Sequence, residues 1–333
     1  MQAQTVYIEQ HIHHGLTQEQ TRAELLALFE DNFYRLQSLA RQTAEERAAA
    51  ITERFLAELM RHNPAGLESA QDPDMQAAIF TAQREYARSG RQDLEEVLID
   101  LLVQRSGATD LKQIVLNGAI DAAATLTSQQ LDTLSFLLVF VHQAPLRYSF
   151  ETLEEFGAYL HANVAPLLND SLTDPSAFLH FKYAGCASVD SEGASMIQRI
   201  QAAFPGCFTY GFDRSQTAKS EGLISDLLRP CLHGELWQFR PCDRITFGSI
   251  CKARGIGPAE IYRLQFIQAN HMMDEETAYG LLAELEPAFS AFPEGGLHHP
   301  LEHAQLTTVG IALANANLRR KVGLEFDLGQ WIK

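Results

Sequence analysis

Basic residues are scarce. The chain has 333 residues with 26 Lys and Arg against 42 Asp and Glu, a formal charge of −16. That balance repels phosphate backbones and excludes a simple basic nucleic-acid binder. Long apolar runs are missing as well. The densest, Leu134 to Val141, falls far short of the roughly 20 residues that cross a bilayer core, and so predicts a buried helix. Residues 1–9 (MQAQTVYIE) carry neither a basic nor an apolar leader segment, which predicts a cytoplasmic protein. Cysteines are five, an odd number, and no C-x-x-C pair occurs. A disulfide framework and a zinc ribbon are therefore excluded, leaving buried or idle thiols. There is no Walker A loop, no paired-glycine dinucleotide turn after a strand and no G-x-S-x-G, so nucleotide hydrolysis and esterase chemistry have no motif behind them. With 46% apolar and 20% charged residues, what remains is a folded chain of about two domains.

The positive signals are mostly helical. Residues 5–14 alternate like a strand, with Val6, Ile8 and Ile12 on one face and Tyr7, Glu9, His11 and His13 on the other. Thr17 and Gln20 then have the spacing of a capping box. From there Leu25, Phe29, Phe33, Leu36, Ala40, Ala44, Ala48, Ile51, Phe55 and Leu59 step by threes and fours without Pro or Gly until Asn63-Pro64. The spacing predicts one helix of about 45 residues, near 68 Å at 1.5 Å per residue, longer than such a domain needs. Asp72-Pro73 starts a second helix and Gly90 stops it. Further helices are predicted from Asp93 to Gly107, over 111–124, and over 127–142, where Thr127 and Gln130 form another capping box. Beyond Pro145 the texture changes: a helix over 152–168, a short element opened by Asp174-Pro175, strand and bend over 178–189, short strands at 207–212 and 235–239, helices near 258–270 and 274–291, a helical tail over 306–320 and an extended end over 325–332. The fold class is mainly α: an N-terminal strand (1–14), then a long helix and helical-hairpin array (15–145), with a smaller α+β unit (146–333).

Several residue groups could carry chemistry. Glu9, His11 and His13 share one strand face and could bind zinc, although no later motif supplies a fourth ligand; an exposed polar face is the simpler reading, and no cofactor is predicted. The same strand has unpaired edges and must find a sheet, which neighbouring copies could provide. Val6, Ile8, Ile12, Phe29, Phe33 and Leu36 are thus the predicted oligomerisation residues. Arg84 and Arg88 lie four apart near a helix end, with Tyr86 between them. They read as structural pins for a carboxylate, or as an anion or partner contact. His298, His299 and His303 could bind metal if helical, but fit solvated loop histidines. Asp72 and Asp74 are explained by their helix start. Arg254 to Ile261 resembles the turn of helix-hairpin-helix modules, but Glu260 has the wrong charge for phosphate, and an ordinary Gly-Pro helix start suffices.

Taken together, Gly15-Leu16-Thr17, Leu28 to Phe33, Asp72 to Gln76, Ala82 to Gly90, Gln113 to Asn117, Ala184-Gly185-Cys186, Leu306 to Asn317 and Trp331-Ile332 resemble the LPO/Vpar family, an uncharacterised bacterial family known by locus tags. The resemblance covers nearly the whole chain and brings no established activity. It implies, by analogy, a place among bacterial defence and mobile-element genes.

The sequence thus predicts a cytosolic, homo-oligomeric scaffold, sensor or interaction protein in antiphage defence, with the helical half contacting other copies and the C-terminal half facing a protein partner; membrane and nucleic acid are not expected. An interaction protein is favoured over an enzyme. The alternative is a metal-dependent hydrolase or nuclease using His11, His13 or the histidines at 298–303.

Overall fold

A computed structural model describes residues 18–140, 150–189, 195–291 and 304–332. The strand predicted at 5–14, with Val6, Ile8, Glu9, His11, Ile12 and His13, lies outside the described residues, as do His298, His299 and His303.

The first helix, α1 (Gln18–His62), runs unbroken for 45 residues. Its exposed face is laced by i,i+4 pairs such as Arg41–Glu45 at 2.8 Å. Ile51, Phe55 and Leu59, four apart, turn its C-terminal part into the core. After a 3₁₀ stretch, α2 (Pro73–Ser89) starts as predicted, with Asp72 accepting from the Asp74 N–H. It ends where Gly90 takes φ +63 and donates to the Tyr86 carbonyl. Helix α2 lies along α1, held by Gln83 Nε2 to Thr52 Oγ1 at 2.7 Å and Arg47 Nη1 to the Ala87 carbonyl at 3.1 Å. Helix α3 (Gln92–Ser106) begins one residue before Asp93, close to where the sequence placed its start. Asp93 sits inside its first turn and receives Arg91 and Ser128 instead of capping. Helices α4 (Asp110–Ala123) and α5 (Ser128–Phe140) follow. The Thr127–Gln130 capping box closes at 3.0 and 3.2 Å. Every residue of α5 from Gln130 to Phe140 is buried, as its apolar run required.

Past 150 the chain is less regular. The helix predicted over 152–168 is α6 (Leu153–Tyr159), a π turn and a 3₁₀ turn at Pro166. The strand predicted over 178–189 is largely a helix, α7 (Pro175–Tyr183), and only β1 (Ala187–Val189) is extended. The reason is local: Asp174 caps the Ser176 N–H, and Phe178 and Phe181 are three apart, both buried, rather than two. Helix α8 (Met196–Ala203) has a complete capping box from Ser195 and Gln198. The strand predicted at 207–212 reduces to bridges at Thr209 and Phe212, because Gly211 at φ +84 breaks the extended run. Strand β2 (Leu228–Pro230) pairs antiparallel with β3 (Trp237–Phe239). Helices α9 (Arg244–Ala253), α10 (Pro258–Ala269) and α11 (Glu275–Leu285) come next. Strand β4 (Ala304–Leu306) pairs antiparallel with β1, setting Ala187 opposite Leu306. The tail is helix α12 (Thr308–Val322), and the end predicted as extended contains a 3₁₀ turn at Leu328–Gln330.

Helix α12 is buried from Gly310 to Leu318 and packs on α3, α4 and α5. Ser135 Oγ donates to the Ala314 carbonyl at 3.1 Å, and Asn317 Nδ2 reaches Asp132 at 3.0 Å. The main apolar core therefore draws on both sides of position 145. A second, smaller core gathers Phe212, Leu228, Phe239, Phe247, Ile261 and Leu264 around the hairpin, α9 and α10. The architecture is mainly helical, with short antiparallel strands in the C-terminal half.

Candidate functional site

The two cores meet at a cleft of about 380 Å³, within the range of small-ligand pockets. Its walls are apolar, with Pro205 beside α8, Phe239 at the end of β3, Pro241, Phe247 on α9, and Phe266 with Tyr262 on α10. Tyr262 and Phe266 are four apart on one helix face, stacked at 6.4 Å and largely exposed. Polar groups enter from Gln201, Asp243 and Arg244. Asp243 is buried because it caps α9, its Oδ1 accepting the Thr246 N–H at 2.7 Å. Burial pushes its carboxyl above the usual carboxylate range, against the pull of those backbone bonds.

Behind this wall lies a buried polar cluster. Arg229, on β2, is 6% exposed, yet its guanidinium touches the Glu151 carboxylate at 3.3 Å and carbonyl at 3.2 Å. Its Nη2 lies 3.6 Å from Cys242 Sγ. Cys242 also donates to the Phe150 carbonyl at 3.4 Å. The neighbouring Cys207 thiol and the Arg229 guanidinium hold the Cys242 thiol below the ordinary range. Burial pushes Cys207 well up. Among the described residues Arg229 Nε and Asp243 Oδ2 have no hydrogen-bond partner.

A second, charged cleft of about 290 Å³ opens between α1, α3 and α12, lined by Arg54, His62, Glu96, Asp100, Arg319 and Arg320. Burial drives the Asp100 carboxyl up to about 6, although Arg319 sits 2.9 Å away. Cations and carboxylates alternate here and largely satisfy one another, as Arg54 does with Glu95 at 2.5 Å.

Of the residues singled out from the sequence, Arg84 and Arg88 do converge, on Glu85 of their own helix, at 3.0 and 2.6 Å. Glu85 is buried, and Tyr86 packs half-buried against the main core, where desolvation and Glu95 raise its phenol. Phe29, Phe33 and Leu36 fall within α1. Asp74 does more than cap: it pairs with Arg105, a fully buried arginine, and accepts from Asn117 at 2.9 Å. At the Gly255 turn, Arg254 is clamped by Asp226 at 2.6 Å, and Glu260 takes Arg263 at 2.6 Å and Ser220. Both groups are engaged within the chain. Among the described residues no three His, Cys, Asp or Glu side chains converge into a metal-binding group, and no helix there is long and apolar enough to cross a membrane.

The cluster around Cys242 was not predicted. Asp243 and Thr246 three residues on have cap spacing, which was the one local signal; the rest arrives from distant segments.

A family model matches residues 15–332, the span over which the family resemblance runs. No curated protein and no solved structure matches the chain.

Proposed function

The chain belongs to the LPO/Vpar family, and on that footing we propose that it is a self-associating scaffold or sensor protein. Helix α1 joins copies, and the C-terminal half faces a protein partner. The setting proposed is bacterial antiphage defence, in the cytoplasm.

One observation carries this reading. Helix α1 is about 68 Å long, but no residue from 37 to 50 is buried, and the first buried one after them is Ile51. The helix beside it, α2, has 17 residues, and its end is marked by Arg47 bonding Ala87, so it lies along only the C-terminal part of α1. Upstream, Leu25, Phe29, Phe33, Leu36 and Ala40 repeat by fours and a three. A seam of that spacing is covered efficiently by a copy of itself, since knobs of one helix fit holes of the other. The second copy is the natural occupant because it brings the same length and spacing.

Mass photometry of the intact chain tests the reading. The expected result is a multiple of 37.1 kDa, falling to the single-chain mass in a Phe29→Glu, Phe33→Glu double variant. A single-chain mass for the unaltered protein rejects it. Removing residues 1–14 reports separately on the strand predicted at 5–14: a part in assembly would show as a smaller multiple of the chain mass.

A further inference from the structure

Five cysteines are free and buried, and one of them differs from the others in its surroundings. Cys186 is pushed up to about 12 by burial alone, and burial raises Cys231 and Cys251 as well. Cys242 instead faces a guanidinium, with Arg229 Nη2 3.6 Å from its sulfur, and Cys207 is its neighbour from the segment after α8. The two chain segments are pressed together here. The Gly206 N–H donates to the Cys242 carbonyl at 3.0 Å, and a side chain at Gly206 would stand 2.7 Å from Cys242 Cα and 3.2 Å from its sulfur. That approach needs glycine, and it places the neighbouring Cys207 at Cys242. Both residues flanking Cys242, Pro241 and Asp243, line the 380 Å³ cleft, and Cys242 itself is buried behind them.

We propose that Cys242 and Cys207 are an oxidisable pair that a small hydroperoxide converts to an intramolecular disulfide. The Cys242 thiolate attacks one peroxide oxygen. The O–O bond breaks, Cys242 becomes a sulfenic acid, and hydroxide leaves, to be protonated to water. Cys207 sulfur then attacks the sulfenic sulfur, the S–OH bond breaks, and a second water departs carrying the Cys207 proton. Peroxide is reduced by two electrons and the two thiols are oxidised by two. Arg229 stabilises the thiolate electrostatically. The product ties the segment after α8 to the segment before α9 within the larger core, closing the base of the loop that carries the hairpin.

Folded protein is exposed to hydrogen peroxide, then alkylated with iodoacetamide, digested and weighed. A peptide joining Cys207 to Cys242, reversible by dithiothreitol, is expected, with Cys186 and Cys251 alkylated as before. Cys242 should react at least about tenfold faster than Cys186, because a guanidinium beside its sulfur favours loss of the thiol proton and Cys186 has none. In Cys207→Ser the reaction should stop at a dimedone-reactive sulfenic acid on Cys242. In Cys242→Ser, Cys207 should stay reduced. Complete alkylation of both thiols when the peroxide-treated wild-type chain is unfolded in iodoacetamide overturns the proposal, as does a cross-link to Cys231 or one that forms only when peroxide is added in urea. The wild-type arm needs no variant to fold. Nor does the outcome depend on self-association, since the bond forms within one chain.

Discussion

Asp100 shows how a single buried acid leaves a trace in bulk behaviour. Its side chain is 13% exposed and burial raises it to about 6, from about 3.9 in an unfolded chain. The folded state therefore holds this proton more tightly than the unfolded one. Its contribution to stability is full below about pH 4 and is lost as pH rises through about 6, a total on the order of 3 kcal/mol. Urea midpoints measured between pH 4 and 7 should fall more steeply in the native protein than in Asp100→Asn. Equal slopes would show that Arg319 outweighs burial. Other residue-scale features were readable in advance, because a cap is a contact between near neighbours: Asp72, Asp174 and the Thr127–Gln130 pair all act as their spacing predicts. Cys242 was not readable. Its partners Arg229, Cys207 and Phe150 come from separate segments, and nothing in Pro241-Cys242-Asp243 announces them.

Among elements, α12 is the most constrained. It enters the core through Gly310, where an added methyl would lie 1.9 Å from the Cys186 carbonyl oxygen. That oxygen is main chain and already accepts the Thr307 N–H at 3.0 Å, so it cannot step aside cheaply. Gly310→Ala should destabilise the protein by about 3 kcal/mol, at the upper end of overpacking costs, visible as a lower urea midpoint with unchanged slope. The helices were legible from their apolar spacing, and α1 ends at Asn63-Pro64 as that spacing required. Strands were read less well. Over 178–183 the aromatics suggested alternation, but the buried pair Phe178 and Phe181 follows helical period. At 207–212 a glycine with positive φ outvoted a run of strand-favouring residues.

Across the whole molecule, the charge of −16 opposes self-association, because copies that meet along α1 bring like charges together. Raising salt from about 0.02 M to about 0.5 M shortens the Debye length from roughly 20 Å to roughly 4 Å and should tighten the proposed assembly. Mass photometry across that range should show the multimer fraction rising; a fall would mean that ion pairs, rather than the apolar seam, hold the copies together. How the two halves pack together was not readable from the sequence. The tail helix looked, from sequence, like part of the C-terminal unit, and its burial against α3, α4 and α5 depends on contacts such as Ser135 to Ala314 that no local pattern encodes.

That docking has a consequence for synthesis. The N-terminal bundle leaves the ribosome with a groove along α5 that only residues 308–322 can fill, and Asp132 waits for Asn317 and Lys321. Loop closure over so long a separation is slow, and the groove is apolar. During translation that face of the bundle therefore stays uncovered until residues 308–322 have been made.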